Sequence, residues 1–187
     1  MTIDSKNWQQ QRPVGFIGPA KTGGEEYRTA YKLAQTVTGF GRPILTAYQG
    51  GVMEAACRGA FDVGGTSIAI TSDQLTPCDH AYARVILADD LNFLPDDSGR
   101  ASENGLPINH LLATMSDFLI AVSGSKNTAN AIKLALRFGK TVIGVRGSPY
   151  PEDATNLSPQ AIKNYRLMTT PDDAILYLNQ WLSSKAP

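Results

Sequence analysis

The sequence predicts an α/β fold, a mostly parallel sheet with helices on both faces. Three observations carry that expectation. Short apolar runs such as VGFIG (14–18), DFLIAV (117–122) and TVIGV (141–145) alternate with longer stretches of helical spacing. The runs are apolar nearly throughout, as strands covered on both faces are. Connections are short and rich in glycine, which suits repeated strand-to-helix crossovers.

The elements follow in order. Residues 1–13 are polar and are expected to form a loose arm, with 14–187 a single ligand-binding domain. VGFIG (14–18) is the first strand, and 19–24 is a turn containing Gly, Lys and Thr. Residues 25–37 place Tyr27, Ala30, Tyr31, Leu33, Ala34 and Val37 at helical spacing, with an acidic start and Gly39 and Gly41 as stop signals. Strand 43–47, helix 52–63, strand 66–70 (TSIAI) and strand 84–87 (RVIL) come next. The polar stretch 88–105 reads as a loop near a ligand or an interface. Its Asp89, Asp90, Asp96 and Asp97 lack the regular spacing of a calcium loop. A helix over 106–115 leads into DFLIAV, the strongest strand. Helix 128–138 is closed by Gly139, and TVIGV is followed by a proline-bearing loop over 147–159. The last helix, 171–182, carries Ala174, Ile175, Leu178 and Trp181 as an apolar stripe, with Asp172 and Asp173 at its positive end.

Composition narrows the function classes. Lys+Arg and Asp+Glu are both 17 in a chain of 187 residues. That balance gives no general field for nucleic acid or an anionic membrane, so attraction for an anion has to be local. Cys57 and Cys78 lack CxxC spacing, which argues against a zinc site or redox motif. Cys57 falls on the apolar face of its helix and reads as a buried thiol. His80 and His110 are too few and too far apart for a metal cluster, so no protein-ligated metal is expected. No apolar run approaches the roughly 20 residues of a membrane span, and the start of the chain lacks an apolar signal core. A cytoplasmic protein is the default expectation.

Two turns carry the chemistry. QGGVMEAACRGA (49–60) sets Gly50 and Gly51 between a strand and a helix that opens with Val52, Met53 and Glu54. SGSKNT follows the strongest strand with Ser123, Gly124, Ser125, Lys126, Asn127 and Thr128. A helix start presents free N–H groups and the positive end of the helix dipole, a combination that favours phosphate. Strand order in such folds puts ligands beyond the carboxyl ends of the strands, where both turns fall. Bland readings stand beside these. The diglycine could be only a tight, closely packed turn, and Thr128 or Asn127 could cap its own helix. Lys126 suits an oxyanion, and Gly18, Lys21 and Thr22 of the first turn could contribute similarly. Glu54 could face the ligand or only favour the helix start, and Arg58 lies at the i,i+4 spacing for an ion pair with it. Thr71, Ser72 and Asp73 end the third strand on the same edge.

The GGVMEA helix start, the GGTSIAI strand and the DFLIAVSGSKNT turn resemble the LOG-like superfamily of Rossmann-like proteins, over about residues 14–145. The resemblance implies a single Rossmann-like domain. It also implies one of two activities. LOG-type enzymes hydrolyse nucleoside 5′-monophosphates to base and ribose phosphate, whereas molybdenum cofactor carrier proteins hold that phosphorylated pterin without transforming it.

The departures from the pattern favour the second. LOG-type enzymes carry a turn like PGGxGTxxEE, and here Gly124 and Thr128 remain while Asn130 and Ala131 stand where the carboxylates are expected. An Arg-Lys pair of those enzymes is matched by Ile108 and Asn109, and their second turn is richer in glycine than Ala47 and Tyr48 allow. Cleavage of an N-glycosidic bond needs an acid, a base or a stabilising carboxylate, which a neutral Asn and an Ala do not supply. The resemblance therefore implies non-catalytic binding, storage and protected delivery of the molybdenum cofactor (molybdopterin) as cargo. Its phosphate is expected on Gly50, Gly51 and the 123–128 turn, with Ser72, Asp73 and Asn109 facing the pterin or the metal. The alternatives are a divergent nucleoside 5′-monophosphate phosphoribohydrolase using Glu54 or Asp73, and a nucleotide-sensing module. Expected partners are a phosphorylated small molecule, further copies of the chain in a dimer or tetramer, and molybdoenzymes or cofactor-biosynthesis proteins, with neither nucleic acid nor membrane.

Overall fold

The computed structural model describes residues 12–47, 49–71, 82–88, 107–149 and 157–184. Seven strands form one sheet: β1 (Val14–Ile17), β2 (Ile44–Ala47), β3 (Ser67–Thr71), β4 (Val85–Ala88), β5 (Phe118–Val122), β6 (Thr141–Val145) and β7 (Tyr165–Met168). Their order is β4-β3-β2-β1-β5-β6-β7, and every pairing is parallel. The expected class is thus the observed one. The direction of winding reverses between β1 and β5, which are neighbours in the sheet and distant in sequence. That reversal is where open parallel sheets leave a crevice for a ligand.

Among the described residues five helices lie between strands, α1 (Gly24–Gly39), α2 (Val52–Asp62), α3 (Pro107–Met115), α4 (Lys126–Arg137) and α5 (Pro159–Lys163), and α6 (Pro171–Ser184) follows β7. They divide into two layers, with α1 packed on α2 and α6, and α3 packed on α4, which touches α5. A sheet between two such layers hides its strands, and β1, β2 and β5 are buried along their whole length. Phe16, Leu33, Ile44, Leu45, Phe118, Leu119, Ile120 and Ile132 are among the largest side chains removed from water. Each is worth roughly 1.5–3 kcal/mol in transfer from water. At the amino end of the sheet Arg42 is 5% exposed. It donates to the Arg12 carbonyl and to Asp117 Oδ2, both at 2.9 Å, and lies over the Trp181 ring. Ion pairing and stacking together compensate its removal from water.

Three boundaries depart from expectation. Helix α4 starts at Lys126 rather than at Thr128, so half of the expected 123–128 turn is the first turn of a helix. The expected loop over 147–159 ends earlier, because Ser158 caps α5 by accepting from the Ala161 N–H at 3.1 Å. Strand β7 was not foreseen. Its YRLM sequence is buried only at Tyr165, so it shows neither a continuous apolar run nor a clean alternation. The expected N-terminal arm lies outside the described residues except for Arg12 and Pro13, and the polar stretch 88–105 does so except for Ala88.

Candidate functional site

Parallel pairing sends the carboxyl ends of all strands to one edge, and the first turn, the diglycine turn and the SGSKNT turn all leave the sheet there. Gly18, Gly51 and Ser123 follow β1, β2 and β5, which are adjacent in the sheet. The two glycine corners singled out in the sequence therefore share an edge.

The diglycine corner is more closed than its sequence suggests. Gly51 has φ 63, in the left-handed region, and a Cβ built there would lie 2.3 Å from the Pro19 carbonyl oxygen. The Val52 N–H donates to that same carbonyl at 3.1 Å. One first-turn amide of α2 is thus already satisfied by the protein, and the close-packing reading holds for Gly51. Ala55 N–H makes the first helical bond, to Gly51 O at 2.9 Å. Between them the Met53 and Glu54 amides have no backbone acceptor among the described residues. Gly18 is equally constrained, since a Cβ there would meet the Val122 carbonyl at 2.5 Å and Val52 at 2.7 Å.

The corner after β5 is open. Ser125 is the N-cap of α4 and its hydroxyl caps nothing. Asn127 and Thr128, the expected capping residues, do not cap the helix, because both sit inside its first turn. The first helical bond is Ala129 N–H to Ser125 O at 3.0 Å, which leaves the Lys126, Asn127 and Thr128 amides without a backbone acceptor among the described residues. Lys126 and Asn127 are exposed, while Thr128 is buried against Gly124. Gly124 has φ 130, and its missing Cβ makes room for the Thr128 side chain, whose Oγ1 would be 2.2 Å from such a Cβ.

Asn109 comes from α3 to the start of α4. It is 1% exposed and donates from Nδ2 to Asn127 Oδ1 at 2.8 Å. Its own Oδ1 is buried and receives no hydrogen bond among the described residues. Buried polar atoms are rarely left in that state, because the lost solvation costs about 1–3 kcal/mol. The sequence marked Asn109 for its place in a motif; its unpaired oxygen was not readable.

The first turn behaves differently. The Thr22 hydroxyl donates to Glu26 Oε2 at 3.3 Å, and Glu25 and Glu26 occupy the first turn of α1. That helix start is already neutralised by its own carboxylates. Lys21 is exposed on the bend before it. Arg146, which the sequence reading missed, leaves the end of β6 beside these groups. It donates from Nε to Thr29 Oγ1 at 3.1 Å and from Nη1 to Glu25 Oε2.

Several expectations need correction. Arg58 does not pair with Glu54; it reaches forward to Asp62 at 3.8 Å and lies over the Tyr82 ring. Counting along PGGxGTxxEE from Gly124 and Thr128 puts the glutamates at Ala131 and Ile132, one position beyond Asn130 and Ala131. Ala131 and Ile132 are both 0% exposed, on the inner face of α4, and neither ionises. Cys57 is the buried thiol that the sequence suggested, 0% exposed and 3.3 Å from Thr46 Oγ1, and burial pushes its pKa up. Ser72, Asp73, Cys78, His80, the Asp89–Asp97 cluster and Tyr48 lie outside the described residues, and Thr71 is described only as the last residue of β3. His110 packs edge-on against Phe138 and serves the helix interface. Among the described residues no group of three or more His, Cys, Asp or Glu could hold a metal, and no helix is long and apolar enough to cross a membrane.

Known proteins place this geometry in context. The chain matches the SLOG cluster4 family over residues 11–175. It is 29% identical to an uncharacterized protein of Archaeoglobus fulgidus over 164 residues, which is 88% of this chain and 92% of the relative. Among solved structures, the Moco carrier protein of Chlamydomonas reinhardtii superposes with a TM-score of 0.67 at 25% identity, covering 94% of this chain and 99% of that one. The molybdenum cofactor binding protein of Rippkaea orientalis shares the fold with a TM-score of 0.67 at 20% identity, over 92% and 98% of the two chains.

Proposed function

The chain belongs to the SLOG cluster4 family, and from that premise we propose that it binds the molybdenum cofactor, holds it and hands it on without transforming it. One observation carries the reading. The start of α4 offers three first-turn amides free of backbone acceptors among the described residues, while the positions where the enzymes' motif has carboxylates are a buried Ala131 and Ile132. An anion is attracted to such a helix start by its N–H groups and dipole. Catalysis would need a proton carrier that these two positions lack. The likeness to the Chlamydomonas Moco carrier protein across nearly both chains supports the same choice of cargo.

In this reading the cofactor's phosphate rests on the amides of Lys126, Asn127 and Thr128, with the Lys126 ammonium as a mobile counter-charge. Met53 and Glu54 offer two further amides across the crevice, with Gly18, Gly50 and Gly51 shaping its floor. Ser123, Gly124 and Ser125 form the corner beneath the phosphate. Lys21 stands at the rim, and Thr22 is held back by Glu26. Asn109 Oδ1 is an acceptor suited to an N–H of the pterin ring. Ser72 and Asp73, outside the described residues, are proposed as further contacts to the pterin or the metal. The cargo brings its own metal, and the protein supplies shape, hydrogen bonds and shelter.

Release of isolated cofactor from the loaded protein to a cofactor-free molybdoenzyme tests the proposal. The expected result is recovery of that enzyme's activity, with the carrier slowing loss of free cofactor. Failure to protect or transfer it, with hydrolysis of AMP at ordinary enzyme rates, would replace the proposal with the phosphoribohydrolase reading.

A further inference from the structure

Two asparagine side chains from different helices meet at the open start of α4. Asn109, on α3, is 1% exposed, and its Nδ2 lies 2.8 Å from Asn127 Oδ1 and 3.5 Å from the Asn127 main-chain oxygen. The main-chain oxygen can only accept. It therefore favours the NH2 end of the Asn109 amide toward Asn127, the end that also reaches Asn127 Oδ1 at 2.8 Å. Asn127 must in turn offer its side-chain oxygen to that NH2. The remaining end of the exposed Asn127 amide is Nδ2, and nothing among the described residues accepts from it. The Asn109 oxygen, buried and without a donor among the described residues, is left over beside that contact.

We propose that Asn109 is a positioning residue that sets the polarity of Asn127, turning its NH2 group outward as a fourth donor beside the free amides of the α4 start. The inference rests on the reading that this helix start binds the anionic end of the ligand. It deepens that reading by assigning a specificity role. An unrestrained asparagine in the first turn of a helix can present either its oxygen or its NH2, and only the NH2 suits an anion. A buried partner that can point only its own NH2 at Asn127 removes the choice before the ligand arrives, which is preorganisation in the ordinary sense. The ligand class that gains is one with a compact oxyanion, phosphate above all. The buried Asn109 oxygen favours, in addition, a ligand with an N–H or O–H donor next to that oxyanion.

The test uses the full chain and inorganic phosphate as the probe, followed by NMR of backbone and side-chain amides. In the unaltered protein, phosphate is expected to shift the Lys126–Thr128 amides and the Asn127 side-chain NH2. The Asn109 NH2 protons are expected to exchange slowly throughout. Asn127→Ala and Asn109→Leu should each weaken phosphate about fivefold to tenfold, the size of one charge-assisted hydrogen bond. The double variant should fall no further than either single one, because both remove the same donor. Asn127→Asp should weaken phosphate more than Asn127→Ala while leaving thermal stability equal or higher, since a carboxylate favours the helix start but repels the anion. A residue with a merely structural role would not separate those two readouts.

The failures are distinguishable. If the unaltered protein shows no phosphate shifts at Lys126–Thr128, the anion-binding reading falls. If phosphate binds there but Asn109→Leu keeps full affinity, or the double variant loses the sum of both effects, the positioning role alone is overturned. Should Asn109→Leu not fold, the side-chain spectra of the unaltered protein decide. A protected Asn127 NH2 beside a freely exchanging Asn109 NH2 overturns the inference, and the opposite pattern supports it.

Discussion

Ser123 and Arg146 leave the sheet side by side in the same left-handed backbone conformation, with φ 55 and φ 54. Each follows one member of the register pair Val122 and Val145, and the Ser123 N–H donates to the Val145 carbonyl at 2.8 Å. They are the only non-glycine residues with positive φ among those described. That conformation costs a non-glycine residue roughly 1–2 kcal/mol, and such strain collects where a fold positions a site. Here it turns both strand ends at the edge that holds the α4 start.

Relief of the strain gives a first prediction. Ser123→Gly should leave stability unchanged or raise it by about 1 kcal/mol, because glycine adopts this φ freely. Ser123→Val should lower it by about 1–3 kcal/mol, since a β-branched side chain is least tolerant there. Urea denaturation of both variants checks the order. A valine variant as stable as the glycine one would contradict the strained turn.

Close approach at the diglycine corner gives a second. Gly51→Ala adds a methyl 2.3 Å from the Pro19 oxygen at φ 63, and backbone cannot move aside as a flexible side chain does. A loss of more than about 2 kcal/mol is expected, from the clash and the left-handed backbone together. Gly39→Ala is the control. Gly39 ends α1 with nothing within 4 Å of the added Cβ, and its replacement should be neutral or stabilise by up to about 1 kcal/mol. Thermal melting of the pair separates a general intolerance of alanine from the predicted local one.

Much of this was readable beforehand, for identifiable reasons. DFLIAV and TVIGV are continuous apolar runs, and a strand hidden on both faces leaves that trace whatever surrounds it. The two corners were readable because glycine is demanded by local geometry. Strand β7 was not, because an edge strand with exposed Arg166 and Leu167 is made by pairing with β6 rather than by its own pattern. Arg146 leaves no such trace, because an arginine after a strand looks like any loop residue. Its link to Glu25 and Thr29 spans more than a hundred positions. The Asn109–Asn127 contact joins α3 to α4 and has no periodic signature either. The closure of the diglycine amide on Pro19 depends on where a separate turn packs, which a single sequence does not encode visibly.

The Cys57 thiol supplies a pH dependence. Burial raises its pKa in the folded protein, whereas in the unfolded chain it ionises near the ordinary value of about 8.5. Above that pH the folded state holds the proton that the unfolded state has lost. Stability therefore falls as pH rises, until the folded thiol itself ionises. Cys57→Ala should flatten the loss of stability between pH 8 and 10, measured by urea denaturation at each pH. An equally steep decline in the variant would contradict the assignment. In the native protein at neutral pH, peptide mapping after iodoacetamide treatment should show no Cys57 adduct.

Glu54 decides between holding and hydrolysing. Glu25 is paired with Arg146 and Glu26 with Thr22, which leaves Glu54 as the first-turn carboxylate of α1 and α2 without such a partner among the described residues. A hydrolase on this scaffold would depend on it for proton transfer, with a loss of roughly a hundredfold or more in Glu54→Gln. The expectation for a carrier is different. Glu54→Gln should bind the cofactor within about threefold of the unaltered protein, the range of one weak exposed interaction. Neither protein should release adenine from AMP. Fluorescence titration with the cofactor and chromatography of the AMP reaction check the two halves.

The most direct measurement is a mass spectrum of the small molecules set free when the protein, purified from cells that make molybdenum cofactor, is denatured. A pterin with its phosphate intact, absent from a Lys126→Glu control prepared in parallel, is the expected result. A nucleotide or ribose phosphate in its place, or a pterin retained equally by the control, would contradict phosphate-anchored, non-catalytic binding at the start of α4.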